Sequence, residues 1–218
     1  MPLPQRALPY RTAPFALSHE GRTFTFAMPA DFDDVFDTIA EEHYEKDRFL
    51  PYWAEKWPST APFFSFLMNE RLPGGARICE LGCGLGVIAA ALAAKGHEII
   101  ATDIAPEGCR FAFSNIAANG GAPRVVCADW RAMPFRKKFD LIVASDILYE
   151  ERWIGPILDC IDTLLSRGGE AIIADPCRRF WVLFKRRAVE RGFSLSIRER
   201  ASIDSGKTEV EILSIRRA

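Results

Sequence analysis

From residue 76 onward, short apolar runs alternate with longer segments whose apolar residues recur at helical spacing. Residues 77–81, 98–102, 124–127, 139–144 and 170–174 read as five strands. They are mostly continuous apolar runs, as expected for strands covered on both faces. Between them, residues 87–95 form an Ala-rich helix and 106–119 a helix opened by Pro106. Residues 151–166 form a helix closed by Gly168-Gly169, and 178–191 a last helix. Residues 193–200 and 208–215 alternate around Asp204-Ser205-Gly206, the pattern of a hairpin. Strands separated by helices predict a parallel sheet with helices on both faces. The expected fold is α/β, a Rossmann-like doubly wound sheet of seven strands, mostly parallel, with a C-terminal antiparallel hairpin.

Upstream of residue 76 the pattern changes. Residues 1–20 are proline-rich and read as an arm. Residues 22–28 alternate through Thr23, Phe24, Thr25 and Phe26, which predicts a short strand. Residues 31–46 are acidic and helical in pattern, with Phe32, Val35, Phe36 and Ile39 on one face. An aromatic cluster follows from Phe49 to Pro58. Ser59 then reads as the N-cap of a helix to about residue 71, broken at Pro73-Gly74-Gly75. The expected division is an extension over 1–58, contributing to the cover of a site, and a cofactor-binding domain over 59–218.

The 218 residues carry 28 Lys+Arg against 29 Asp+Glu, a net charge of -1, so nucleic acid is not an expected partner. No apolar run approaches the roughly 18 residues that span a membrane. Residues 1–10 are interrupted by Pro2, Pro4 and Pro9 and lack the apolar core of a secretory signal. A cytoplasmic protein is expected. The six cysteines include no CxxC pair and read as reduced, buried thiols. His19, His43 and His97 share no metal spacing, and no metal is expected. Arg178, Arg179, Lys185, Arg186, Arg187 and Arg191 read as one basic helix face, either solvated or docking an acidic partner.

The candidate chemistry lies where the first of the five strands turns into the Ala-rich helix. Glu80-Leu81-Gly82-Cys83-Gly84-Leu85-Gly86 combines a tight glycine turn with a helix N-terminus, an arrangement that admits a nucleotide-like ligand close to the backbone. The dinucleotide fingerprint requires G-x-G-x-x-G, and its third position here is Val87. A carboxylate at Glu80 would repel a pyrophosphate but suits an ammonium. Asp103, at the end of the next strand, is placed to accept both ribose hydroxyls. Asp129 and Trp130, after the third strand, are candidates for an adenine amino group and ring.

In this order and spacing the chain resembles the seven-strand, class I S-adenosylmethionine-dependent methyltransferases over about residues 59–215. The resemblance implies S-adenosylmethionine as cofactor, held by Glu80, Gly82, Gly84, Gly86, Asp103 and Asp129. A narrower resemblance is to methyltransferase family 16, mostly protein lysine methyltransferases. Lys56-Trp57-Pro58-Ser59 resembles its Trp-containing element, and Asp146-Ile147-Leu148-Tyr149 its D-x-x-Y element. It implies that Trp57 lines the cofactor site and that Asp146 and Tyr149 face the methyl acceptor, a lysine of a protein substrate. Ile104, Trp130 and Ser145 join the expected cofactor contacts. The resemblance departs in the N-terminal arm and the run 49–53. Two alternatives stand beside it: a small-molecule N-, O- or S-methyltransferase, and a non-catalytic cofactor-binding module.

Overall fold

The computed structural model describes residues 11–36 and 50–217. The first ten residues of the expected arm, Phe49, and the expected helix beyond residue 36 lie outside the described residues. Residues 32–36 are helical.

Two strands come first, β1 (Thr12–His19) and β2 (Arg22–Pro29), followed by helix α1 (Thr60–Asn69). The alternating half then runs β3 (Ile78–Leu81), α2 (Val87–Ala94), β4 (Ile99–Asp103), α3 (Pro106–Ala118), β5 (Val125–Cys127), β6 (Phe139–Ser145), α4 (Ile154–Leu164), β7 (Leu165–Asp175), α5 (Trp181–Glu190), β8 (Phe193–Ile203) and β9 (Thr208–Arg217). Seven strands form one sheet in the order β5-β4-β3-β6-β7-β9-β8. The first five are parallel, while β9 is antiparallel to both of its neighbours. This is the expected doubly wound sheet with its closing hairpin.

Side-chain alternation divides the core in two. Leu141 and Val143 of β6 pack with α1, α2 and α3 on one face, while Ile142 and Ala144 pack with α4 and α5 on the other. Helix α2 is buried from Val87 to Leu92. Its run of alanines lets neighbouring helices approach closely.

Three expectations are corrected. Residues 12–19 are a strand, closed onto β2 by Glu20 and Gly21, both at positive φ (46° and 79°). Two left-handed residues match the twist of a two-residue hairpin turn. The proline context concealed this strand, yet Pro14 sits on the edge strand of a two-stranded sheet, where a missing N–H is tolerated. Helix α4 ends at Leu164, and β7 runs through Gly168-Gly169 with a register shift against β6. The glycines therefore make a bulge and not a helix stop. The expected basic helix starts only at Trp181, so Arg178 and Arg179 precede it. Its cations are largely paired: Lys185 with Glu211, Arg187 with Glu151 and Arg191 with Asp159. All six thiols are free, and four are buried; Cys127 and Cys177 are exposed. Among the described residues, no helix is long and apolar enough to cross a membrane.

Candidate active site

The carboxyl ends of the parallel strands surround a cavity of ≈ 290 Å³. Every predicted site residue except Gly86 and Asp129 lines it. The position agrees with the rule that open α/β sheets bind ligands beyond the carboxyl ends of their strands.

The glycine loop forms one wall. Gly82, Gly84 and Gly86 have φ of 67°, 48° and 75°. A Cβ at Gly82 would lie 2.9 Å from Ile147 Cγ2, and one at Gly86 2.6 Å from the Ala112 Cα. Gly82 thus keeps the cavity open, whereas Gly86 lets α2 and α3 meet. The Cys83 N–H donates to the Thr102 carbonyl at 2.9 Å, and the Gly84 N–H to Asp103 Oδ2 at 2.8 Å. Val87 and Ile88 bring the N-terminal end of α2, with its positive dipole end, to the same wall.

Glu80 is 2% exposed, and its Oε2 has no hydrogen-bond partner. Burial holds its carboxyl well above the usual carboxylate range; a backbone hydrogen bond from Ala89 opposes this and the Asp103 charge adds to it. A buried, unpartnered oxygen beside a cavity is costly without a donor from a ligand. Asp103 accepts from the Gly84 and Ala105 N–H groups, at 2.8 and 2.9 Å. Each of its oxygens retains a lone pair for a further donor. Burial raises its carboxyl too, against those backbone hydrogen bonds.

Asp146 follows β6 in a left-handed turn, at φ 59°. Few residues other than glycine, asparagine and aspartate adopt this region readily. Its N–H donates to the Ala174 carbonyl. Its carboxylate accepts from the Ser59 N–H (3.2 Å), the Ser59 hydroxyl (3.3 Å) and Arg178 (2.8 Å). Burial pushes the carboxyl up to about 6, with Arg178 opposing and Asp175 reinforcing the shift. Tyr149 packs on Tyr52 with ring centroids 4.3 Å apart, and burial raises its hydroxyl above the usual range, so it stays protonated at neutral pH. Trp57 donates from Nε1 to the Tyr52 carbonyl at 2.6 Å and lies under the Arg178 guanidinium, 5.2 Å from its ring centroid. Residues 50–57, apart from Ala54, line the cavity. Trp53 is buried against Phe111, as a packing residue would be, and also lines the cavity.

Asp129 does not reach the cavity lining. It accepts from the Arg131 N–H and guanidinium. Partial burial works against its charge, but Arg131 outweighs that and holds the carboxyl below the usual range. Trp130 does line the cavity, with its ring close to Gly82. Sequence reasoning missed Arg178, whose partner lies 32 residues away and carries no local signal. Ser59 stands at the N-cap of α1 as expected, but its hydroxyl bonds Asp146 and not the helix N–H groups, a role the sequence did not signal. The grouping Cys177, Glu209 and Glu211 has distances a metal would accept. Glu211 is already committed there to Trp181, Lys185 and Arg200.

Residues 78–169 match the methyltransferase domain family. The N-methyltransferase NodS from Bradyrhizobium japonicum, solved with S-adenosyl-L-homocysteine, superposes with a TM-score of 0.60 at 18% identity, covering 85% of this chain and 99% of that one. In fold, and over this stretch of sequence, the chain is similar to S-adenosylmethionine-dependent methyltransferases of class I. Within that class it resembles the electron transfer flavoprotein beta subunit lysine methyltransferase of Danio rerio, at 29% identity over 59% of this chain and 51% of that protein. It also matches the ubiquinone biosynthesis O-methyltransferase of Xylella fastidiosa, at 23% identity over 67% of this chain and 64% of that protein. The match to the lysine methyltransferase spans about half of that relative's length.

Proposed function

We propose that this chain is an S-adenosylmethionine-dependent methyltransferase acting in the cytoplasm on a lysine side chain of a protein. One observation carries the reading: a single cavity is lined both by the Glu80–glycine cradle and by Asp146 with Tyr149, Tyr52 and Trp57. The residues present fit the cofactor. The unpartnered Glu80 Oε2 suits its ammonium, and Asp103 has lone pairs for the ribose hydroxyls. Ile104, Trp130 and Ser145, which line the same cavity, would contact the rest of the cofactor.

When bound, the cofactor supplies an electrophilic methyl group on a sulfonium, whose leaving thioether is neutral. The protein's task is then alignment and deprotonation of the acceptor. A free lysine ammonium has a pKa near ~10.4. Asp146 attracts it into the cavity. The aromatic walls strip its water and present π faces to the cation, and desolvation favours loss of the proton. Residues 50–57, the inner end of the expected extension, close the site over the acceptor.

The test is transfer of labelled methyl from S-adenosylmethionine into a cell extract, split into protein and small-molecule fractions, with Asp146→Asn as control. Asparagine keeps the shape and tolerates the left-handed turn. A labelled protein that depends on Asp146 supports the reading, and mass spectrometry then locates the lysine. Label only in small molecules would replace it with the small-acceptor reading, which the O-methyltransferase relative favours. Binding of S-adenosylhomocysteine without any transfer would leave a cofactor-binding module.

A further inference from the structure

Arg178 has no role in the reaction proposed above, yet it occupies an unusual position. It sits just beyond β7, before α5 begins, and its side chain is 20% exposed. Its guanidinium reaches two carboxylates at once: Asp146 at 2.8 Å and Asp175 at 3.3 Å. Those side chains are 2% and 0% exposed. The Arg178 N–H also donates to Asp175 at 2.8 Å, which fixes where the side chain starts. The guanidinium face covers Trp57, a residue of the cover.

Charge counting shows what this arrangement does. Two buried carboxylates share one cation, so the cluster retains a negative charge when both are ionised. Asp146 is the member that lines the cavity, and Asp175 lies behind it. Arg178 and the Ser59 hydroxyl both donate to Asp146 Oδ1, while the Ser59 N–H holds Oδ2, so the carboxylate is held from the start of α1 and from beyond β7. Arginine is suited to this, because its planar fork can serve two acceptors while its face stacks on an indole.

We propose that Arg178 is a positioning residue: it fixes Asp146 in the cavity wall and couples it to Trp57, so that the acceptor carboxylate and the cover are set as one unit. The inference rests on the proposed methyl transfer for its purpose, but not for its test. The groups around Asp146 are Ser59 at the start of α1, and Arg178 and Asp175 at the end of β7. Tyr149, Glu80 and Asp103 line the same cavity.

The test uses the full chain and the Arg178→Gln and Arg178→Lys variants, with folding checked by circular dichroism. Carboxyl-labelled aspartate allows Asp146 to be titrated by carbon NMR, with its signal assigned through Asp146→Asn. Loss of the cation in Arg178→Gln should move the Asp146 midpoint upward by about one unit or more, with a smaller movement in Arg178→Lys. Quenching of tryptophan fluorescence by acrylamide should rise in Arg178→Gln as Trp57 is released, with a Trp57→Phe background identifying the signal. An unmoved Asp146 midpoint in a folded Arg178→Gln variant would overturn the proposal. So would an unchanged Trp57 signal. Where Arg178→Gln does not fold, Arg178→Lys decides the same two readouts. If wild-type protein labels no extract protein, the lysine reading fails, while these readouts still judge Arg178. If it does label one, Arg178→Gln should lower kcat at least tenfold, with S-adenosylhomocysteine affinity changed less than threefold.

Discussion

At the scale of single residues, the carboxylates of the cavity define distinct measurements. Asp103→Ala removes Oδ2, which holds the glycine loop at the Gly84 N–H, and Oδ1, which accepts from the Ala105 N–H, the two oxygens proposed to meet the ribose. Cofactor affinity should weaken by on the order of 1–3 kcal/mol, read by calorimetric titration; an unchanged titration would remove Asp103 from the site. Asp146 has a different signature. Its folded value of about 6 lies above the ~3.9 of an unfolded aspartate. Between roughly pH 4 and pH 6 the unfolded chain therefore releases this proton before the native state does. The native state is then the better proton binder, so this group's contribution to stability is lost as pH rises through that window. Asp146→Asn should accordingly gain stability relative to wild type between pH 4 and pH 7, by on the order of 2 kcal/mol. Urea melts at both pH values would show it, and a constant difference would mean that Asp146 is ordinary in its titration.

At the scale of elements, the β1–β2 hairpin is attached to the domain by a device with a simple geometric basis. Asn115 of α3 and Asn119, which caps it, are one turn apart, and Thr25 and Ala27 are two residues apart on β2. Four helical residues rise about 6.0 Å, and two strand residues about 6.7 Å. The two spacings match closely enough for both asparagine amides to pair with the strand as another strand would. Asn119 Oδ1 accepts from the Thr25 N–H and its Nδ2 donates to the Thr25 carbonyl. Asn115 does the same at Ala27, and its Nδ2 also donates to the carbonyl of Leu85 in the glycine loop. Asn115→Ala leaves three backbone groups without this partner. It should destabilise the chain by about 2–4 kcal/mol, and weaken S-adenosylhomocysteine binding because the loop loses its support. A loss of stability with no change in binding would show that the loop holds without Asn115. Such attachments were not legible in the sequence, because side-chain to strand pairing leaves no periodicity. The glycine loop was legible, since positive φ at three alternate positions demands a specific residue type. Arg178 and Asp146 are both individually ordinary, and only the sheet order, which makes β6 and β7 neighbours, brings them together.

For the molecule as a whole, the topology concentrates acid where it is least solvated. Glu80, Asp103, Asp146 and Asp175 lie at or just beyond the carboxyl ends of β3, β4, β6 and β7, four adjacent strands of the sheet. All four are buried, and burial raises all four carboxyls. Among the described residues, Arg178 is the one cation that bonds any of them, and it serves Asp146 and Asp175. Burial thus pushes Glu80 and Asp103 toward their protonated forms, and an arriving positive charge pushes them back, since a nearby cation favours the ionised carboxylate. Binding of S-adenosylmethionine, which carries both an ammonium and a sulfonium, should therefore release protons. S-adenosylhomocysteine, with the ammonium alone, should release fewer. Calorimetry in two buffers of different ionisation enthalpy measures this directly, and Glu80→Gln should abolish most of the release. The same linkage makes the folded chain more stable in saturating cofactor, by about 2.7 kcal/mol at a hundred times Kd. Equal heats in both buffers for wild type and Glu80→Gln would mean that Glu80 keeps one protonation state through binding and that the cofactor's charge does not displace its proton.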